Sequence, residues 1–367
     1  MKKNHPKNER IKRAYFIHLE DARRMSPSSV DHVAAALSSF ETSTGGRDFK
    51  AFHIEQARKF KRDLNEQIVA ETGRPLATAT IVARLRAVKA FFQWLSQQPG
   101  YRSKIRFSDA EYFNPSANDS RIAGARRQHP VPSVEQIRHV VEAMPAGTEI
   151  EKRDRALIAF TLLSGGRDDA IASLSLKHVD RARRTVFFDA REVRTKNRKT
   201  YRTWFFPVGE PFEEIVCDWM TLLETEKHFG PDDPLFPITD VKLLADGRFG
   251  PVGLGRKHWT SATRIRAIFR QAFEAAGLPY SNPHSLRKTL TLLGERICTT
   301  QEEMKIWSQN LGHEHVATTF NSYGHVEEHR QGAVMECLRK QQRQKDGPGT
   351  VQLDEHTRRA LKILLKF

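Results

Sequence analysis

Two arginines, two histidines and one phenol stand out as groups that together can break a phosphodiester. They are Arg167, then His284 and Arg287 in the run His284-Ser285-Leu286-Arg287, then His313 after Leu311-Gly312, and Tyr323. They are spread from position 167 to position 323, so only a fold can bring them together. A phosphodiester resists attack because its anionic oxygens repel nucleophiles and its transition state spreads more charge over them, so catalysis is mainly positioning and electrostatic stabilisation. A metal can supply this, and so can guanidinium. Arg167 and Arg287 are suited to grip the two nonbridging oxygens, because the planar fork donates paired hydrogen bonds and keeps its charge. A tyrosine hydroxyl, with a reference pKa of about 10, is a poor nucleophile at neutral pH until nearby cations favour its phenolate. Attack by Tyr323 on phosphorus would conserve the phosphodiester bond energy in a covalent link, so rejoining would need no nucleotide cofactor. His284 and His313 can donate to the phosphate or move protons near neutrality. Lys196 is the candidate general acid for the departing 5′-oxygen, with Lys199 as its rival.

Taken one at a time these residues have plainer readings. An arginine after Gly165-Gly166 is ordinarily a cap or surface ion-pair residue, His-x-x-Arg an ordinary polar helix face, and a lone tyrosine a half-buried aromatic. His313 and His315 lack a cysteine or acidic partner at ligand spacing, which argues against a metal site. Trp204, Phe205 and Phe206 read as sheet core. The order and joint presence of the set separate it from these readings.

The elements that must position the set follow from periodicity. Residues 1–13 are polar and basic and read as a mobile tail. Three helical stripes follow: Val30, Val33, Ala34, Leu37 and Phe40; Ile54, Ala57, Phe60, Leu64 and Ile68; Ile81, Leu85, Val88, Phe91, Phe92 and Leu95. The third carries Arg84, Arg86 and Lys89 beside its stripe, as expected of a helix that packs on one side and lies against a duplex on the other. Between Asn114 and Pro132, turn formers, two prolines and the pair Arg126-Arg127 mark an interdomain boundary. Ser133 to Gln136 fits a capping box that opens a helix reaching Met144. A helix from about 154 to 164 breaks at Gly165-Gly166. Thr185–Phe188 and Tyr201–Phe206 predict a hairpin with a basic tip holding Lys196 and Lys199. Further helices are predicted at 211–226, 258–276, 284–297, 301–311 and 326–343. The apolar end, Leu361 to Phe367, is too short to fold alone and must dock, on its own domain or on a neighbouring protomer.

The chain has 367 residues, long enough for two cores, and a formal charge of +16. The excess is uneven: 24 basic against 13 acidic residues in 1–130, and 36 against 31 in 131–367. A polyanionic partner, nucleic acid before membrane, fits such a surface. Cys217, Cys298 and Cys337 are too far apart for a disulfide framework or a Cys-x-x-Cys site, and no apolar run spans a bilayer, so a reducing cytoplasmic, nucleoid-associated setting is expected.

Taken together, the ordered motifs resemble the tyrosine recombinases of the phage-integrase type. Ser164-Gly165-Gly166-Arg167 stands where that family has its first arginine, and Thr195-Lys196-Asn197-Arg198-Lys199 where it has a hairpin lysine. His284-Ser285-Leu286-Arg287, Leu311-Gly312-His313 and Thr318-Thr319 to Tyr323 match the remaining motifs. There are departures: Ala170 occupies the place of a frequent acidic residue, Lys288 follows Arg287 where histidine is common, and Tyr323 stands ten positions after His313, one more than usual.

The resemblance implies a mainly α fold, with a helical core-binding (SAM-like) domain at 14–125, a linker at 126–132, an α+β catalytic domain with a small antiparallel sheet at 133–343, and a tail at 344–367. It implies catalytic Arg167, Lys196, His284, Arg287, His313 and Tyr323, no cofactor and no metal. DNA contacts are expected at Arg84, Arg86, Lys89, Arg126, Arg127 and Lys199. The implied reaction is site-specific recombination of double-stranded DNA, in a mobile element, through a 3′-phosphotyrosyl intermediate and a Holliday junction. The implied assembly is a homo-tetramer at the synapse, monomer or dimer off DNA, with accessory recombination proteins and no membrane. The alternatives are a type IB topoisomerase, which reseals its own ends, and a non-cleaving DNA-binding regulator.

Overall fold

The structure, a computed structural model, describes residues 5–70, 72–125, 131–245, 247–313, 335, 336 and 339. The chain divides into two compact units, residues 1–127 and 128–367.

The first unit contains helices α1 (Pro6–Ile17), α2 (Pro27–Thr44), α3 (Ile54–Glu66), α4 (Thr78–Leu95) and α5 (Ala117–Gly124). A two-stranded antiparallel ribbon, β1 (Ile68–Val69) and β2 (Arg74–Pro75), lies between α3 and α4 in the chain. Ser26 caps α2 by accepting from the Ser29 amide, Pro27 pre-sets its first turn, and Gly45 ends it at φ 66°. The stripes of α2, α3 and α4 meet over a phenylalanine cluster, where Phe40 is edge-on to Phe60, Phe92 and Phe113 at centroid distances of 5.3, 5.2 and 5.6 Å.

Two expectations change here. Residues 6–13, expected in a mobile tail, belong to α1. Their buried anchor is an amide: the Asn8 side chain accepts from the Phe49 amide and donates to Glu41 and to the Arg47 carbonyl. Fully satisfied, it can be buried without penalty and leaves no apolar stripe in the sequence. Part of the turn-rich stretch after Asn114 is also helical, as α5, capped by Ser116.

The second unit contains α6 (Val134–Ala143), α7 (Glu149–Ser164), α8 (Asp168–Ile171), α9 (Glu210–Thr221), α10 (Thr263–Ala275), α11 (Pro283–Ile297) and α12 (Gln301–Asn310). Strands β3 (Val179–Asp180), β4 (Thr185–Phe188) and β5 (Tyr201–Trp204) form an antiparallel sheet in that order, with β5 at its edge. A second hairpin, β6 (Thr239–Leu243) and β7 (Phe249–Leu254), was not expected, because Gly250, Pro251 and Gly253 interrupt its alternation. Every residue of α7 from Ala156 to Ser164 is buried, which makes it the centre of this core. A Thr148/Glu151 capping box starts α7 at Glu149, five residues before the apolar run suggests. In β5 the alternation sends Thr203 inward and Trp204 outward, so Trp204 is 57% exposed and is not core, whereas Phe206 is buried. Among the described residues no helix is long and apolar enough to cross a membrane.

Candidate active site

Four pieces of the second unit converge: the turn after α7, the first turns of α11, the turn after α12, and β5. Asn282 caps α11 by accepting from the Ser285 amide, and Pro283 fixes its first turn. That start puts His284 and Arg287 three residues apart on one helix face. Arg287 is only 4% exposed. Its guanidinium donates to the Gly165 carbonyl, to the Leu311 carbonyl at 2.6 Å, and lies 3.2 Å from His313 Nε2. These acceptors are neutral, and no carboxylate pairs with Arg287 among the described residues. Burial, and then the Arg167 charge, lower its pKa to about 10, which leaves it a cation at neutral pH.

The diglycine is required by packing. Gly165 closes α7 at φ 58°, and a Cβ there would lie 3.0 Å from the Phe206 ring and 3.1 Å from Leu311. Arg167 follows in extended conformation at the start of α8 and is half-buried. Its guanidinium makes no hydrogen bond or ion pair with the described residues. The adjacent acids are engaged elsewhere: Asp168 with Arg266 at 2.8 Å and Asp169 with Arg194 at 3.0 Å. Ala170, three positions after Arg167, is buried.

Gly312, at φ 70°, turns the chain from α12 toward His313, and the Tyr201 ring would lie 3.0 Å from a Cβ at this position. Tyr201 in turn stacks on Phe188 at 4.7 Å. Burial, followed by the charges of Arg287, Arg167, His284 and Lys199, pushes the His313 pKa down to about 4. The imidazole is therefore neutral at pH 7. Arginine can only donate, so Nε2 accepts from Arg287 and the ring proton sits on Nδ1. His284 keeps an exposed edge; partial burial, then Arg287, Lys288 and Arg167, lower its pKa, with Asp168 opposing. A cavity of about 300 Å³ opens beside it, bordered by Gln136, Tyr280, Asn282, Ser285 and Lys288.

In the loop between β4 and β5 the two lysines differ. Lys196 is exposed, at the start of a single helical turn in which Asn197 takes φ 58°. Lys199 is half-buried, with its ammonium 3.4 Å from the Gly312 carbonyl. The fold thus gathers Arg167, His284, Arg287, His313 and Lys199, and holds Lys196 at the surface. Tyr323, Arg126 and Arg127 lie outside the described residues, as do the positions expected to dock at the C-terminus. In the first unit, Arg84 donates to Gln67 at 2.9 Å, Lys89 to Asn114 at 2.7 Å, and Arg86 is exposed. Among the described residues no group of three His, Cys, Asp or Glu could hold a metal ion.

Sequence reasoning missed Asn310 and Thr203, which tie β5 to the turns around the arginines. The Asn310 Oδ1 accepts from the Trp204 amide at 2.7 Å and from Thr203 Oγ1 at 3.1 Å, and its Nδ2 donates to the Trp204 carbonyl at 2.9 Å. Thr203 Oγ1 also reaches the Ser164 carbonyl at 3.3 Å. A polar residue at a helix end carries no signal for such pairing.

The sequence profile of the phage integrase family matches residues 132–330. A tyrosine recombinase XerC from Alcanivorax borkumensis is 22% identical over 314 residues, covering 85% of this chain and 88% of that protein. Among solved structures, the Tn1549 transposon integrase in complex with transposon right end DNA superposes with a TM-score of 0.57 at 17% identity, over 89% of this chain and 99% of that one. A lambda integrase dimer bound to a COC′ core site gives 0.55 at 10% identity, over 87% and 99%. The chain therefore belongs to the phage integrase family of tyrosine recombinases.

Proposed function

We propose that this protein is a site-specific DNA recombinase of a mobile element that cuts and rejoins double-stranded DNA, with Arg167 and Arg287 holding the scissile phosphate. The observation that carries this reading is an Arg167 guanidinium that no described residue pairs, beside a buried Arg287 that no described carboxylate pairs. Two like charges held this way disfavour each other until an anion lies between them. A phosphate would draw hydrogen bonds from both. By neutralising the field around His313 it would raise that pKa, so that Nε2 gains a proton and donates to a phosphate oxygen. Neutral His284 is able to accept the Tyr323 proton as the phenolic oxygen bonds to phosphorus. The bond from phosphorus to the 5′-oxygen breaks, and a lysine of the β4–β5 loop, Lys196 or Lys199, protonates the departing oxygen. The strand is left as a 3′-phosphotyrosine with a free 5′-hydroxyl, and attack by a 5′-hydroxyl from a second duplex reverses the step into a new junction. The XerC relative and the DNA-bound neighbours support the reading as a recombinase that binds DNA. In this reading four protomers assemble at the synapse and accessory proteins set direction.

The test is a nicked suicide substrate that loses its 5′-hydroxyl fragment on cleavage. A covalent protein–DNA adduct is expected with wild type in excess EDTA and not with Tyr323→Phe, followed by strand joining between two duplexes. No adduct, or an adduct dependent on a divalent ion, overturns the reading. Resealing without exchange would place the protein with the topoisomerases.

A further inference from the structure

We infer that Asn310 is a positioning residue for the leaving-group proton donor, acting by clamping β5, the strand that follows the lysine loop, against the turn that carries His313. This rests on the recombinase reading above. β5 is the edge strand of its sheet, and an edge strand presents unpaired backbone groups. The Asn310 amide occupies that edge as a neighbouring strand would, taking both the amide and the carbonyl of Trp204. Asn310 is also the last residue of α12, immediately before Leu311-Gly312-His313. One half-buried side chain therefore connects the strand that leads out of the lysine loop to the turn that presents the histidine.

The two sides of the clamp are not equally dependent on it. The α12 side is held to α11 independently, by the Arg287 bond to the Leu311 carbonyl and by the Trp307 indole donating to the Leu290 carbonyl at 2.9 Å. Among the described residues, the outer edge of β5 is held by the Asn310 bonds and the longer Thr203 contact to the Ser164 carbonyl, and just past its end the Phe206 amide donates to the Leu163 carbonyl at 2.8 Å. Loss of the amide should therefore leave Arg287 and His313 in place and loosen the outer edge of β5, which stays paired with β4, and with it the loop from 189 to 200 that carries Lys196 and Lys199. A misplacement of about 1 Å in a reacting group can lower a rate roughly 10²-fold. The group misplaced here is the acid and not the phosphate clamp.

The chemistry separates these roles. In cleavage an oxygen–phosphorus bond forms at the tyrosine, the phosphorus–oxygen bond to the 5′ side breaks, and the leaving alkoxide takes a proton from lysine. With sulfur in place of the bridging 5′-oxygen, the phosphorus–sulfur bond breaks instead. The thiolate leaves without a proton, since a thiol has a reference pKa of about 8.5. Single-turnover cleavage of the two substrates would be measured for wild type, Asn310→Ala and Asn310→Asp, with thermal melting as the fold control. Asn310→Ala is expected to cut the oxygen substrate roughly 10- to 100-fold more slowly and the sulfur substrate within about threefold of wild type. Asn310→Asp, which keeps the acceptor for the Trp204 amide and loses the donor to its carbonyl, is expected to fall between. Arg167→Ala should be slow on both substrates. Equal slowing of Asn310→Ala on both substrates, or no slowing on either, overturns the assignment while leaving the recombinase reading intact. Failure of wild type to form an adduct on either substrate overturns both.

Discussion

Two arginines of the second unit are almost equally hidden from solvent, and their electrical surroundings are opposite. Arg153 is fully buried, donates to its neighbour Asp154 through Nε and Nη2 at 2.8 and 2.7 Å, reaches the Pro237 carbonyl and Thr239 at 3.0 Å, and lies over Trp259. Arg287 has carbonyls and a neutral imidazole as partners and a second cation nearby. A buried cation that breaks its carboxylate pairing destabilises strongly, so Arg153 with Asp154 is a structural fitting that fixes the root of β6 against α7. Among the described residues Arg287 lacks that compensation, and its charge is left for something they do not supply. The contrast distinguishes an arginine that completes the fold from one that awaits an anion.

The largest expected effect is at Arg167, the second member of the charged pair. Arg167→Ala should reduce single-turnover cleavage by roughly 10³-fold or more, in line with the loss of an arginine from a phosphoryl-transfer site. Its melting temperature should stay level or rise, because a like charge beside Arg287 has gone. Sulfate should raise the melting point of wild type more than chloride at equal ionic strength, and this difference should shrink in the variant. If Arg167→Ala melted well below wild type, the distinction between fitting and anion site would fail.

The mirror-image result is expected for Arg153→Ala. Leaving Asp154 without its partner should destabilise the protein by about 3–5 kcal/mol, measured by denaturant unfolding. Cleavage per folded molecule at low temperature should change little. Restoring an apolar pair, as in Arg153→Met with Asp154→Leu, should recover much of the loss. A cleavage defect in that repaired variant would mean that the root of β6 communicates with the active site.

The difference between these arginines was only partly legible in the sequence. Arg287 was readable because its neighbours His284, Leu311, Gly312 and His313 keep fixed spacings that chemistry requires. The helices of both units were readable where their stripes were apolar, as in α2 to α4. Arg153 was not, because its acceptors at positions 237 and 239 are distant in the chain and one is a backbone carbonyl. Asn8 and Asn310 escaped for the same reason: amides that pair with backbone leave no periodicity to detect. The β6–β7 hairpin was concealed by its glycines and proline, and the exposure of Trp204 depends on which face of β5 meets the core. What spacing conveys is residue chemistry and apolar period; long-range partners of buried polar groups lie outside both.

The smallest expected effect is a pH dependence whose sulfate-sensitive part belongs to the anion site, since His178 and His258, also lowered by burial, contribute a part that sulfate should leave unchanged. The His313 pKa is about 4 in the fold against 6.5 for an unperturbed imidazole, and that of His284 is lowered in the same direction. Between those values the unfolded chain binds more protons than the folded one, so stability is complete above about pH 6.5 and declines as pH falls toward 4. The His313 part of the decline comes first from burial of the imidazole and then from the cations Arg287 and Arg167 facing it, and a bound anion should cancel part of their field. Saturating sulfate should therefore flatten the slope of stability between pH 6.5 and 4 in wild type, measured by urea unfolding at fixed ionic strength. His313→Asn should start with a shallower slope and respond less to sulfate. Arg153→Ala should keep the sulfate response of wild type, because its network contains no imidazole, and its loss of stability should shrink as pH falls, because burial already raises the Asp154 pKa and removal of the opposing Arg153 charge raises it further. If the slope were unchanged in His313→Asn, the depressed histidine would not be the titrating group, and the electrical contrast between the two arginines would need another readout.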